Sequence, residues 1–251
     1  MTLPDLRNPA EYALFLDFDG TLVAIAERPD DVRLDPETRD ALADLNGLLA
    51  GALAIVTGRE IEVIDRFLAP LRLSIAGVHG LMRRDARGRT YTSPFDAGLP
   101  AAIERAVSPL LQKYPGLLVE RKFGAVALHY RDHPELEQVS LDALQRAVCD
   151  LQETEIKRGK MVVEVKAIGG NKGAAVADFL KEEPFAGRRA VFAGDDVTDE
   201  DAFVLVNARD GISIKVGPGA TNAAYRSSGT AEFLDWLRRL PAQLAGSRDI
   251  A

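Results

Sequence analysis

The stretch Ala13-Leu14-Phe15-Leu16-Asp17-Phe18-Asp19-Gly20-Thr21-Leu22 decides how the rest of the chain is read. An apolar run ends abruptly in two aspartates, a glycine and a threonine. Short continuous apolar runs bounded by glycine or polar residues are the mark of strands buried on both faces, as in parallel sheets. Residues 13–18 (ALFLDF), 52–57 (ALAIVT) and 73–76 all read this way. Between the first two, Asp35-Pro36-Glu37 opens a helix with aspartate as N-cap and proline in its first position, and Leu42, Leu45, Leu48 and Leu49 share one face. A second helix runs from Arg59 to about Leu68 and stops at Pro70. The resulting β-α-β-α-β order calls for a parallel sheet covered by helices on both sides.

From about Tyr91 the rhythm changes. A helix over 100–113 precedes strands at 117–122 and 125–131, turned at Phe123-Gly124; a helix over 134–149 precedes strands at 153–157 and 161–166, turned at Arg158-Gly159. This αββαββ unit predicts an antiparallel sheet with two helices on one face. After Gly169-Gly170 the first rhythm returns, with helices at 172–180, 200–206 and 231–240 and strands at 190–193 and 211–216. The expected fold class is therefore α/β: a doubly wound parallel-sheet core, residues 1–96 and 168–251, split by an α+β insert, residues 97–167. The chain crosses between them at 95–98 and 167–170.

The chain has 251 residues, 47% hydrophobic and 27% charged, which excludes a disordered, collagenous or disulfide-scaffold protein. With 38 acidic against 31 basic residues the net charge is −7, so neither nucleic acid nor an anionic membrane is an expected partner. The lone cysteine, Cys149, has no second cysteine to pair with, and no stretch approaches the roughly 20 apolar residues of a membrane span. An unprocessed, cytoplasmic protein is expected.

In doubly wound sheets the ligand lies at the carboxyl ends of the strands. The unusual residues fall there: Asp17-Phe18-Asp19-Gly20-Thr21, Thr57-Gly58-Arg59, and Gly194-Asp195-Asp196-Val197-Thr198-Asp199-Glu200-Asp201. Carboxylates crowded at a buried sheet edge stay ionised only with a cation among them, and Mg2+, with its preference for oxygen ligands, is the economical one. Residues two apart in an extended chain point the same way, so Asp17 and Asp19 can both face a substrate. Asp17 can attack phosphorus and form an aspartyl-phosphate; Asp19 can protonate the leaving oxygen and later deprotonate water. Thr57 and the backbone amides of Gly58 and Thr21 suit phosphoryl oxygens, and Lys172 adds a positive charge at a helix start.

With DFDGTL, TGR, NKG and GDDVTDED in this order, the chain resembles the haloacid dehalogenase superfamily of phosphatases. The segments GVHG (77–80), VERKFGAVALHYR (119–131) and VEVKAIGGNKG (163–173) make it similar to the trehalose-6-phosphate phosphatase family within that superfamily. The resemblance implies magnesium-dependent hydrolysis of trehalose 6-phosphate, with the insert as cap. It implies Asp17, Asp19 (through its backbone carbonyl) and Asp195 as metal ligands, and Asp196 and Asp199 as residues orienting metal-bound water and Lys172. Thr21, Gly58 and Arg59 fall with the substrate-binding residues of the core, and Glu120, Lys122, Arg131 and Glu164 with those that grip the sugar. Phosphatases of sucrose 6-phosphate or a mannosyl-phosphoglycerate, a silent sugar-phosphate sensor and a phosphotransferase share these motifs. The sequence leaves open whether a trehalose-phosphate synthase binds the chain. His79 and His129 read as packing residues, since imidazole is a poor magnesium ligand. Cys149 reads as a small core or boundary residue, and Trp236 as core.

Overall fold

The structure is a computed structural model, and it describes residues 3–25, 32–92, 98–149, 154–167 and 170–246. In chain order the regular elements are β1 (Tyr12–Leu16), α1 (Pro36–Leu48), β2 (Leu53–Val56), α2 (Ile61–Leu68), β3 (Ser74–Gly77), β4 (Met82–Arg84), β5 (Thr90–Thr92), α3 (Leu99–Lys113), β6 (Leu118–Lys122), β7 (Ala125–His129), α4 (Glu137–Val148), β8 (Thr154–Gly159), β9 (Val162–Ala167), α5 (Lys172–Phe179), β10 (Arg189–Gly194), α6 (Glu200–Asn207), β11 (Ile212–Val216), β12 (Tyr225–Ser227) and α7 (Thr230–Gly246). They form two compact units, Met1–Tyr91 with Asn171–Ala251, and Thr92–Gly170.

The first unit holds an eight-stranded sheet in the order β12-β11-β10-β1-β2-β3-β4-β5. Six strands, β12 through β3, run parallel, and β4 pairs antiparallel to β3. Every residue of β1, β2, β3 and β11 is buried, as double-sided cover by helices requires. The helix cap read at Asp35 is present: its carboxylate accepts from the Thr38 amide at 2.8 Å, with Pro36 in the first turn. The strand β1 has β2 on one side and β10 on the other. Chain progression reverses around it, which makes its carboxyl end the switch point where doubly wound sheets open a crevice.

Three short strands escape the sequence reading. β4, β5 and β12 are three residues each, MRR, TYT and YRS, too short and too polar to show an apolar run. The helix expected from Pro134 begins as a 3-10 turn over Pro134–Leu136 before α4. Cys149 is exposed, contrary to expectation, because it is the residue at which α4 ends; Trp236 is buried as expected.

The second unit is a four-stranded antiparallel sheet, β6-β7-β9-β8, with α3 and α4 packed on one face. Val126, Leu128, Val163 and Val165 on that face join Ile103, Val107, Leu141 and Leu144 of the helices in a separate core. The intervening residues of each strand therefore line the opposite face. The crossing segments read at 95–98 and 167–170 fall mostly outside the described residues.

Candidate active site

The register of the sheet sets the site. Leu16 pairs with Ile55 on one side and Ala193 on the other, and the Asp17 amide bonds the Ala193 carbonyl at 2.9 Å. Asp17, Thr57 and Asp195 each follow the last residue of β1, β2 and β10, so all three emerge at one sheet edge. The turn after Asp17 is made by Gly20 at φ 79°, whose amide bonds the Val23 carbonyl at 2.7 Å. A Cβ on Gly20 would meet Asp195 Oδ2 at 2.0 Å, so the loop lies directly against that carboxylate. Gly20→Ala is expected to lose about 1–3 kcal/mol of stability from backbone strain alone, and to displace Asp195, lowering turnover as well; denaturant unfolding and phosphate-release rates measure the two effects.

Helix α5 brings Lys172 into the same place. Asn171 caps it, its side chain accepting from the Ala174 amide at 2.6 Å, and Lys172 is the first helical residue. A lysine at a helix start, 3% exposed, is unfavourable unless anions hold it. Its Nζ donates to Asp17 Oδ1 and to Asp199 Oδ1, both at 2.6 Å. Asp199 is fully buried, and its Oδ2 accepts from the Asp196 amide at 2.9 Å. Both oxygens of Asp199 are thus engaged, which makes it an orienting group for Lys172. The Asp196 side chain accepts from the Val197 amide and caps the turn that follows, while Asp196 also lines the cavity at this edge.

Electrostatically the cluster is short of positive charge. Burial pushes the Asp17 carboxyl up to about 7, and repulsion from Asp199 and Asp195 adds to this against the attraction of Lys172. Burial, with Asp199 and Asp196, raises Asp195 to about 6, against Lys172 and Lys215. Burial alone would depress Lys172, but Asp17 and Asp199 outweigh it and hold the ammonium above its usual range. One oxygen from each of Asp17, Asp195 and Asp199 lies within 4.8 Å of the others. The oxygen donors of Asp17 and Asp195 and their unmet negative charge fit a hard dication.

The cavity at this edge measures about 560 Å³ and is lined by Asp17, Asp19, Gly58, His79, Lys172 and Asp195, among others. Thr57 is buried, and its Oγ1 accepts from the Arg59 amide at 3.1 Å. Thr21 is fully buried, and its hydroxyl has no partner among the described residues. Arg59 was expected beside the substrate. It lines this cavity, and its Nε and Nη2 each donate to an oxygen of Asp19 at 2.7 Å.

Two residues of this edge were missed or misread. His79 lines the cavity; it sits in a run at positive φ, Val78 47°, His79 55° and Gly80 102°. A β-branched residue and its neighbour in that region carry real strain, which here packs the imidazole against Gly58, where a Cβ would meet Nε2 at 2.8 Å. Lys215, 4% exposed, donates its Nζ to the Asp195 carbonyl. A lysine inside the short strand ISIKV, among isoleucines and a valine, was the available signal.

In the second unit, Glu120, Ala127 and Glu164 are neighbours across β6, β7 and β9, on the face away from the helices. Lys122 lies two residues along β6 on the same face; its side chain is outside the described residues. Arg131 is exposed in the turn after β7. The register brings Glu120 and Glu164 to the same part of the sheet. His129, read as a packing residue, places Nε2 2.8 Å from Glu120 Oε2.

A parallel sheet with an aspartate-bearing loop at its switch point and an acidic cluster beside it is the architecture of haloacid dehalogenase-type hydrolases. A haloacid dehalogenase-like hydrolase from Bacteroides thetaiotaomicron shares this fold, with a TM-score of 0.58 at 14% identity over 90% of this chain and 98% of that one. More specifically, the chain belongs to the trehalose-phosphatase family, whose sequence profile matches residues 15–232. It is 40% identical over 256 residues to the trehalose-6-phosphate phosphatase of Escherichia coli, covering 99% of this chain and 95% of that one. It is 44% identical over 248 residues to a probable trehalose-phosphate phosphatase of Sinorhizobium fredii, covering 96% and 89%. The crystal structure of a trehalose-6-phosphate phosphatase related protein is similar with a TM-score of 0.68 and 31% identity, over 94% of this chain and 99% of that one. The chain is accordingly a phosphomonoesterase of a metal-dependent superfamily. Among the described residues no helix is long and apolar enough to cross a membrane.

Proposed function

We propose that the protein hydrolyses trehalose 6-phosphate to trehalose and phosphate, with Mg2+ held by Asp17 and Asp195 and by the backbone carbonyl of Asp19. The observation that carries the reading is the buried Asp17–Lys172–Asp199 group with Asp195 beside it, in a chain of this family. Bound there, the dication would supply charge to neutralise phosphoryl oxygens.

The chain's own residues do the rest. Lys172 holds Oδ1 of Asp17 and leaves Oδ2 without a hydrogen bond among the described residues. That oxygen attacks phosphorus; the bond from phosphorus to the sugar O6 breaks, and O6 takes the proton of the Asp19 carboxyl. Asp19, now a carboxylate, takes a proton from water as the water oxygen attacks phosphorus, the bond to Asp17 breaks, and phosphate leaves. Lys172, the Thr57 hydroxyl and the backbone amides of Thr21 and Gly58 hold the transferring oxygens, which gain charge in the transition state.

Sugar recognition is assigned to the insert, residues 97–167 as a cap domain, through Glu120, Lys122, Arg131 and Glu164. The carboxylates accept from sugar hydroxyls and the cations donate to them. A cytoplasmic location belongs to the same reading, since a single cysteine suits a reducing compartment. Phosphate release from trehalose 6-phosphate in Mg2+ tests the proposal: chelation with EDTA is expected to abolish it and added Mg2+ to restore it. Turnover that persists in EDTA contradicts the metal assignment.

A further inference from the structure

The pairing of Arg59 with Asp19 does more than neutralise a charge. The two side chains come from residues 40 apart, and one edge of the guanidinium meets both carboxylate oxygens, Nε to Oδ2 and Nη2 to Oδ1, at 2.7 Å each. The fork is preset. Its carbon lies 5.8 Å from the Phe18 ring centroid and 5.4 Å from that of Phe67, and the Arg59 side chain is only 15% exposed against 40% for Asp19. The Arg59 amide is tied to Thr57 Oγ1 as well. Planar, two-point recognition of a carboxylate in a fixed orientation is what arginine provides and lysine does not.

This rests on the reading of Asp19 as the proton donor and acceptor. We propose that Arg59 is the positioning residue of that step: it holds the Asp19 carboxylate in one orientation in the resting enzyme and acts on turnover through Asp19, not by gripping the phosphoryl group. Held this way Asp19 is an unprotonated carboxylate; to act as the acid it takes a proton from solvent on one oxygen, which then presents its O–H to the leaving oxygen. One of the two bonds has to open, and the other then serves as the pivot that keeps the carboxyl aimed. The aromatic contacts of Arg59 keep the pivot in place while Asp19, the more exposed partner, moves.

A double-mutant cycle separates this from direct phosphate binding. Wild type, Arg59→Met, Asp19→Asn and the double variant are assayed on trehalose 6-phosphate and on 4-nitrophenyl phosphate, whose leaving group departs without a proton. Arg59→Met is expected to lower kcat on trehalose 6-phosphate by about 100-fold, the scale of an acid–base contribution, with KM nearly unchanged. On 4-nitrophenyl phosphate, where Asp19 still deprotonates the attacking water, Arg59→Met is expected to lower kcat at least about tenfold with Asp19 present and less than about threefold in the Asp19→Asn background, because residues that act through one another are not additive. Equal losses in both backgrounds, a loss confined to KM, or an Arg59→Met enzyme with wild-type kcat would each overturn the proposal. Arg59→Lys keeps the charge and stem but not the fork; it is expected to show the same non-additivity and serves if the methionine variant does not fold. A wild-type enzyme inactive on trehalose 6-phosphate but active on 4-nitrophenyl phosphate would instead refute the substrate reading and leave the cycle interpretable.

Discussion

Asp17→Asn is expected to cut phosphate release from trehalose 6-phosphate by at least about 10⁴-fold, the scale of losing a covalent nucleophile, while the chain stays folded. Asparagine matches the side chain in size, and one of its atoms can still meet Lys172, which keeps its bond to Asp199. What it lacks is an anionic oxygen for attack. The variant also has a distinct pH signature. In the ion-free protein Asp17 lies at about 7, above the ordinary carboxyl value of 3.8. A carboxyl raised on folding contributes stability below its unfolded pKa, and that contribution is lost as pH rises through the folded value. Ion-free wild type is therefore expected to melt at lower temperature as pH goes from 5 to 8. The asparagine variant should show a shallower decline, retaining the part due to Asp195, which titrates at about 6. Melting curves in EDTA across this range, with rates measured on the same preparations, check both parts. A variant with wild-type rates would sink the covalent mechanism.

Lys172→Met should fail in a different way, losing stability as well as activity. The ammonium is 3% exposed and holds two carboxylates at 2.6 Å, one of them fully buried. Removing one partner of a buried ion pair leaves an uncompensated charge, at a cost of about 3–5 kcal/mol. For a chain of this size that lowers Tm on the order of 10 °C. Activity should fall about 10³-fold, since a charge aimed at the phosphoryl oxygens goes with it. The stability defect is expected to shrink as pH falls from 8 to 5, through the value of about 7 at which Asp17 titrates beside Lys172, because protonation of Asp17 removes one of the orphaned charges. Thermal melting at pH 5 and pH 8 separates the two contributions. A Lys172→Met protein that melts like wild type at pH 8 would show that the pair carries no such strain.

The reason these residues could be picked out beforehand is that each broke a local rule. Asp17 ends an apolar run where a further apolar residue would be expected, and Lys172 stands at a helix start where the dipole disfavours a cation. Strand ends, caps and the helix order were legible for the same reason, since they are local and follow from spacing. What was not legible depends on contacts distant in sequence. Nothing in TGR says that Arg59 pairs with Asp19, because that pairing is made across the sheet edge with Phe18 and Phe67 beside it. Nothing in GVHG announces three successive positive φ angles, two of them at residues that resist that region. His129 looked like a strand filler because its partner, Glu120, lies on the neighbouring strand. The three-residue strands β4, β5 and β12 exist only because a larger sheet offers them an edge.

The acidic balance of the chain also finds its place. Five aspartates, Asp17, Asp19, Asp195, Asp196 and Asp199, gather at one sheet edge, where negative charge serves a cation before any anionic substrate arrives. A net charge of −7 is thus compatible with a phosphate ester as substrate.

The central claim is that the protein acts on trehalose 6-phosphate in particular. The most direct test is the rate of phosphate release, in Mg2+, from trehalose 6-phosphate, sucrose 6-phosphate and mannosyl-3-phosphoglycerate side by side. The expected result is a kcat/KM for trehalose 6-phosphate at least about 100-fold above the other two, the discrimination that a few sugar-specific hydrogen bonds provide. Equal turnover of sucrose 6-phosphate would contradict it.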